Sequence, residues 1–427
     1  MKTHVALAAL LSGLSAAASA GPPPEPRFTL EWQWSRMAEA EGAFNAELSP
    51  NRQNTSVEVA RFSSDGRFIV TGSKLDNSVR LYDLDGTELW IAHHEAELER
   101  ADFSRGDRFV LSAGEDGGVR VHDIETGDVV TQLPHGAGID AMRVCPDGRL
   151  LLVGTEPRTE VDLTNERSER AREDSPGLYT SGDLGRGSGL SLWAIDADDP
   201  TEWTFLTFLK PEPNNDNSKV HRNRTDVNGI DFTADGKQVA VAFRDARVRL
   251  YDINLTDTDG PITAGSLELA REFDFAPGST KIAEIAEPEG LPRLLAAGQN
   301  GEIGPRLWNL DSGELIAELP DYSRTNDPLA FSPDGRFLVV GGNEGKALTD
   351  GANREGRYLD RDGMSRISVY AVTDLLALGD RAQPCHVVDG VFRSEYIEFN
   401  HDGSLLVTGH EDGSVHLWKV QRNDEAR

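Results

Sequence analysis

The 427-residue sequence holds only two cysteines, Cys145 and Cys385, and too few basic residues to balance its acidic ones: 43 Lys and Arg against 72 Asp and Glu, a formal charge of −29. Two cysteines exclude a disulfide framework, a Cys-rich metal cluster and a C-x-x-C-H haem attachment. The shortage of basic residues speaks against nucleic-acid binding and against adsorption to anionic lipid, and favours a well-solvated surface. No apolar run approaches the ~20 residues that span a bilayer. Linear catalytic signatures are missing too: no G-x-S-x-G elbow, no phosphate-cradling glycine loop, no H-E-x-x-H pair.

The N-terminus reads as a secretory signal peptide over residues 1–20. Lys2 supplies positive charge, residues 5–14 (VALAALLSGL) the apolar stretch, and Ala18-Ser19-Ala20 the small-residue cleavage site. The mature protein is expected in the periplasm or outside the cell, where two cysteines could pair. The repeat alignment below instead puts Cys145 on an inner strand of one unit and Cys385 on an outer strand of another, and a disulfide needs Cα atoms within ~7 Å. Two buried free thiols are expected.

What the sequence has in abundance is repetition. VEVARFSSDG (57–66) recurs as LERADFSRGD (98–107), IDAMRVCPDG (139–148), VNGIDFTADG (227–236), DPLAFSPDG (327–335) and EYIEFNHDG (395–403), with a weaker copy, KIAEIAEPEG, at 281–290. Each copy is an alternating apolar strand, an Asp-Gly turn suited to positive φ, and a second apolar strand. A third strand follows, as in VRLYDL (79–84) or VHLWKV (415–420), and then a fourth, as in TELWIAH (87–93). A unit of four strands cannot bury both faces alone, so neighbours must stack into a ring. The anchors at Phe62, Phe103, Val144, Phe232, Ala286, Phe331 and Phe399 count seven units. The expected fold is an all-β, seven-bladed β-propeller of four-stranded antiparallel blades over residues 57–420, with 421–427 as a C-terminal tail. The last blade lacks a fourth strand. The alternating run 27–34 (RFTLEWQW), within the N-terminal segment 21–56, is expected to supply it and close the ring.

These repeats resemble the WD-repeat family, and FSPDG at 331–335 is also similar to repeats of exported, TolB-like bacterial propellers. The resemblance implies buried hydrogen-bond networks built from His, Ser or Thr, Asp and Trp. His94, Ser112 and Asp116 fill it in the second repeat, with His122 at the Trp position. His135 takes the His position in the third. Thr408, Asp412 and Trp418 fill the seventh, with Gly390 where its His would stand.

Insertions at 155–188, 211–226 and 343–365 fall in loops that share one propeller face, and long loops on a rigid scaffold commonly carry binding. The candidate contact residues are Arg167, Arg170, Arg172 and Tyr179 in the first insertion, His221 and Arg222 in the second, and Arg354, Arg357, Tyr358 and Arg361 in the third. The expectation is a monomeric, exported, non-catalytic interaction scaffold for a protein, peptide or glycan partner, without nucleic acid and without a membrane span. The alternative is an exported propeller hydrolase or lactonase-like enzyme with a divalent metal in the central channel, because residues gathered from several blades leave no linear motif. No cofactor is expected. Asp-rich loops at Asp83, 256–260 and Asp360 leave structural calcium open, although none has an EF-hand register.

Overall fold

A computed structural model describes residues 27–37, 56–74, 76–135, 137–156, 189–195, 198–212, 225–256, 261–275, 278–301, 304–319, 328–342 and 364–423. The strands form seven four-stranded antiparallel sheets, each a blade; in six of them the strands follow one another in sequence from the channel outward, and in the seventh the outermost strand comes from the N-terminal segment. Blade one runs Val57–Phe62, Phe68–Ser73, Ser78–Asp83 and Glu88–His93. Among the described residues no helix is long and apolar enough to cross a membrane.

Each first-to-second-strand turn is a small hydrogen-bonded unit. In blade one the Ser63 hydroxyl donates to Asp65 (2.8 Å) and accepts from the Phe68 amide (2.9 Å), while Gly66 takes φ +70°. Thr233 with Asp235 and Ser332 with Asp334 repeat it. In blade three Cys145 stands at the serine position: its Sγ donates to Asp147 (2.7 Å) and accepts from the Leu150 amide (3.0 Å). Both cysteines are free. Cys145 is buried, but Cys385, at the edge of the outer strand His386–Phe392, is only half-buried, so the expectation of two buried thiols is corrected.

The fourth strand of the last blade is Phe28–Met37, paired with Ser414–Arg422 from Phe28 opposite Arg422 to Met37 opposite Ser414. Residues 421 and 422, expected in the tail, are part of this pairing. The closing strand also reaches the blades on either side. Phe28 is fully buried, with ring centroids 4.9 Å from Phe337 in blade six and 6.3 Å from Phe399 in blade seven. At the other end Trp34 Nε1 donates to the Leu84 carbonyl (2.8 Å) and Arg36 Nε to the Gly86 carbonyl (2.9 Å), both in blade one. The same latch recurs where Trp90 of blade one donates to the Ile124 carbonyl of blade two (2.8 Å).

Two details depart from the repeat pattern. In blade five the anchor is Ile285 rather than Ala286. Ile285 faces Leu295, which faces Trp308, as Phe62 faces Ile69 and Ile69 faces Tyr82. Blade six carries an unexpected helix, Val372–Leu378, between its third and fourth strands, with Val372 and Leu375 buried against the blade five–blade six core. Third-to-fourth-strand connections leave the ring opposite the three long insertions, so the added chain is not all on one face.

Candidate functional site

The central channel is built by one irregularity repeated around the ring. In six of the seven inner strands the register slips by one residue, leaving Glu58, Glu99, Asp140, Asn228, Lys281 and Glu395 unmatched by a partner. A bulge re-aims its extra side chain, and all six line the channel mouth, a cavity of about 250 Å³. Just outside the second strands, Lys74, Glu115, Glu156 and Arg244 line it too. Strand ends place this mouth on the face from which the three insertions leave.

Deeper in, the residue before each anchor forms a belt: Arg61, Asp102, Arg143, Asp231, Glu284, Ala330 and Glu398. The belt ties blades together. Asp102 accepts from the Val144 amide of the next blade (2.9 Å) and Asp231 from the Ile285 amide (2.7 Å). Arg61 bridges Asp102 (3.4 Å) and Glu398 (3.2 Å). Burial raises the carboxyls of Asp102, Asp231, Glu284 and Glu398, against the pull of Arg61.

The mouth is braced as well. Arg100 of blade two donates to the Asn228 carbonyl of blade four (2.9 Å), and Asn228 Nδ2 to the Thr280 carbonyl of blade five (2.6 Å). Lys74 lies 2.9 Å from Glu99 and 3.5 Å from Glu58. Burial works against the Glu58 charge, but Lys74, the Ser56 hydroxyl and Arg100 together hold its carboxyl below the usual range. Glu99 goes the other way. Burial and the neighbouring Glu58 and Asp140 charges push it up to about 8 despite Lys74.

Oxygens of Glu99, Glu115 and Asp140 lie within 4.8 Å of one another. We do not assign them as metal ligands, because the Lys74 ammonium already sits on Glu99, and neither histidine nor cysteine is among the described residues lining this mouth. The arrangement can brace blades, hold protons and attract cationic groups.

None of the network residues lines the channel cavities. His94 Nδ1 contacts Asp116 (2.9 Å) and its Nε2 contacts the Ser112 hydroxyl (2.7 Å), which in turn meets His122 Nε2 (2.8 Å). The His122 ring stacks on Trp90, so it takes the place of the missing Trp. His135 Nε2 contacts the Ser191 hydroxyl (2.8 Å), with Trp193 Nε1 at 3.2 Å. Burial pushes His122 and His135 down to about 4, which leaves both neutral at pH 7. In blade seven Trp418 Nε1 donates to the Thr408 hydroxyl (3.0 Å), which meets His410 Nε2 (2.8 Å). Asp412 instead caps Ser414, accepting from its amide at 3.0 Å and from its hydroxyl at 2.6 Å. The histidine absent at Gly390 is therefore supplied by His410, from the second strand of the same blade.

Three segments, residues 48–83, 217–252 and 386–419, match the WD domain, G-beta repeat family. The chain is a seven-bladed propeller in which these three segments are similar to WD repeats. Among curated relatives of this propeller, Protein LST8 homolog of Drosophila melanogaster is 24% identical over 205 residues, 45% of this chain and 51% of that protein. The match thus spans about half the length of that relative. Eukaryotic translation initiation factor 3 subunit I of Drosophila willistoni is 20% identical over 319 residues, 68% of this chain and 92% of its own. Periodic tryptophan protein 2 of Saccharomyces cerevisiae is 21% identical over 397 residues, 84% of this chain and 38% of that protein. These relatives are eukaryotic; the similarity is to WD-repeat proteins and does not extend to an exported bacterial type.

The candidate contact residues of the insertions, Arg167, Arg170, Arg172, Tyr179, His221, Arg222, Arg354, Arg357, Tyr358 and Arg361, lie outside the described residues, as does the signal peptide. Two of the Asp-rich loops, at 257–260 and 360–362, are outside them as well. In the third, Asp83 accepts from the amides of Asp85 (3.0 Å) and Thr87 (2.8 Å), the work of a turn residue. His93 and His94 point apart, His93 toward the Asp76 carbonyl and His94 into its network.

Proposed function

We propose that this propeller is an exported, monomeric, non-catalytic scaffold that binds a protein, peptide or glycan partner on the face carrying the 155–188, 211–226 and 343–365 loops. One observation carries the reading: the charged channel mouth lies at the ends of the strands that flank these insertions, on a ring whose blades are tied to one another. The bracing supports a scaffold rather than a hydrolase. Arg100 crosses the mouth and Lys74 sits among its carboxylates, where a metal-dependent enzyme would keep an open coordination position. One relative is by name a subunit of a larger factor, in keeping with a part that assembles with others.

The test is a pull-down from the envelope fraction with the wild type and with the variant Arg354→Ala, Arg357→Ala, Tyr358→Ala. Loss of the bound partner from the variant is expected, and equal recovery would count against that loop. Export is tested by sequencing the N-terminus of the mature protein. A start at Gly21 is expected, and an intact Met1 in the cytoplasmic fraction would refute it.

A further inference from the structure

We propose that the hydrogen-bond network of blade two is closed by one proton more than its neutral side chains supply, and that this proton makes His94 a buried imidazolium paired with Asp116. A neutral imidazole carries one N–H and a hydroxyl one O–H, whereas a backbone carbonyl and a carboxylate only accept. The contacts run from Asp116 through His94, Ser112 and His122 to Gly127. His94 Nδ1 lies 2.9 Å from Asp116 Oδ2, and His94 Nε2 2.7 Å from Ser112 Oγ. Ser112 Oγ lies 2.8 Å from His122 Nε2, and His122 Nδ1 3.0 Å from the Gly127 carbonyl oxygen.

Four bonds need four protons, and neutral His94, Ser112 and His122 supply three. The two ends fix where the shortage falls. His122 Nδ1 has to donate to the Gly127 carbonyl, and His94 Nδ1 to the Asp116 carboxylate. With both rings neutral, two nitrogen lone pairs then face one hydroxyl that donates to only one of them. His94, Ser112 and His122 are all buried, so the other lone pair would be left against Oγ with no proton between.

Blades three and seven close with neutral rings. Trp193 turns its indole N–H toward the Ser191 hydroxyl (3.3 Å) and His135 Nε2 (3.2 Å), and Trp418 donates to the Thr408 hydroxyl (3.0 Å). An indole N–H only donates, so each hydroxyl keeps its own proton for His135 Nε2 or His410 Nε2, both at 2.8 Å. His122 stands at this tryptophan position in blade two but spends its N–H on Gly127, and so asks Ser112 for a proton instead of bringing one.

The surroundings place the fourth proton on His94. Burial lowers His122 to about 4 against the pull of the Gly127 carbonyl, whereas His94 has a carboxylate beside it. Burial works against the Asp116 charge too, but the hydrogen bond and charge of His94 and the Arg120 guanidinium (2.9 Å) hold its carboxyl below the usual range, so Asp116 stays an acceptor. The Glu95 amide also points at Asp116 (3.4 Å), while His93 turns away to the Asp76 carbonyl (3.1 Å). His94 therefore donates at both ends, and Ser112 donates to His122. The His94 amide donates to the Asn77 carbonyl of blade one (2.8 Å), so the charged pair fastens blade two to blade one.

NMR of the imidazole nitrogens in the full chain at pH 7, with each ring assigned through its own backbone signals, reads the protons directly. In the wild type both His94 nitrogens are expected to carry protons and His122 only Nδ1. In His122→Trp, which restores the one-way donor, Ser112 donates to His94 and the His94 Nε2 is expected bare. A double-mutant cycle supplies a second measurement. Asp116→Asn strands an imidazolium in the wild type but a neutral ring in His122→Trp, and the Arg120 contact changes alike in both. Asp116→Asn should therefore shift the unfolding equilibrium at pH 7 at least about ten-fold more in the wild-type background. A wild-type His94 Nε2 without a proton, or an equal cost of Asp116→Asn in both backgrounds, would overturn the proposal. The wild-type spectrum decides even if a variant fails to fold.

Discussion

Replacing Phe28 by alanine tests how the ring is closed. Phe28 is the first residue of the closing strand, is 0% exposed, and fills the space between Phe337 of blade six and Phe399 of blade seven. Truncating a buried phenylalanine costs about 3–5 kcal/mol through lost transfer energy and the cavity left behind. Trp34, at the other end of the strand, is half-buried and gives its indole N–H to the Leu84 carbonyl of blade one. Its loss adds about 2–3 kcal/mol from apolar contact and one hydrogen bond. The two sites are six residues apart on an extended strand, roughly 20 Å, so their effects should add. Together they approach the ~5–15 kcal/mol that holds a typical domain folded. At roughly 1–2 °C per kcal/mol for a domain of this size, Phe28→Ala should lower Tm by about 5 °C and the double variant by about 8–10 °C. Thermal unfolding followed by circular dichroism reads both, and limited proteolysis should show the closing strand cut first. A double variant melting within about 2 °C of the wild type would mean that the strand decorates a ring closed by other means.

Other outcomes follow from single contacts. Arg249 is buried on Asp245 (2.6 Å) and Glu272 (2.8 Å) over the Phe243 ring, so Arg249→Ala should destabilise by about 3 kcal/mol in denaturant titration by removing the guanidinium from a buried ion pair. Gly86 sits at φ +77° with the Arg36 guanidinium 3.0 Å from where a Cβ would lie, so Gly86→Ala should cost at least about 1 kcal/mol, whereas Gly66→Ala, strained but with open space, should cost less. Burial raises the Cys145 thiol to about 12 and Cys385 to about 11, so a thiol reagent at pH 8 should label the native protein slowly and find two thiols after unfolding. Cys145→Ser should be tolerated within about 1 kcal/mol, because serine holds the same turn position in blade one.

The seven blades were legible because a four-stranded unit with an Asp-Gly turn imposes period-two alternation that insertions interrupt without erasing. The closing strand was legible from an accounting of strands: blade seven lacked one, and residues 27–34 offered it. The channel was not. Glu58, Glu99, Asp140, Asn228 and Glu395 occupy one position in VEVARF, LERADF, IDAMRV, VNGIDF and SEYIEF, and alternation alone does not say where they point. A bulge, decided by how two strands pair, turns them into the mouth. The aligned copies did carry a signal, a run of acidic or amide residues at one repeat position. His410 escaped notice for a related reason: the hydrogen-bond network needs a histidine ring at a point in space, and a residue on the second strand reaches that point as well as one in the preceding loop. The shift from Ala286 to Ile285 comes from the weak copy in blade five, where EPEG replaces the usual turn.

A partner held on the inserted-loop face of the propeller leaves its footprint there. Cross-linking mass spectrometry on the complex captured from the envelope fraction reads that footprint. Cross-links are expected from the partner to 155–188, 211–226 and 343–365 and to Lys74 or Lys281 at the mouth. Cross-links gathered instead on the opposite face, at Lys237 or around the turns of Asp65, Asp147 and Asp334, would contradict it.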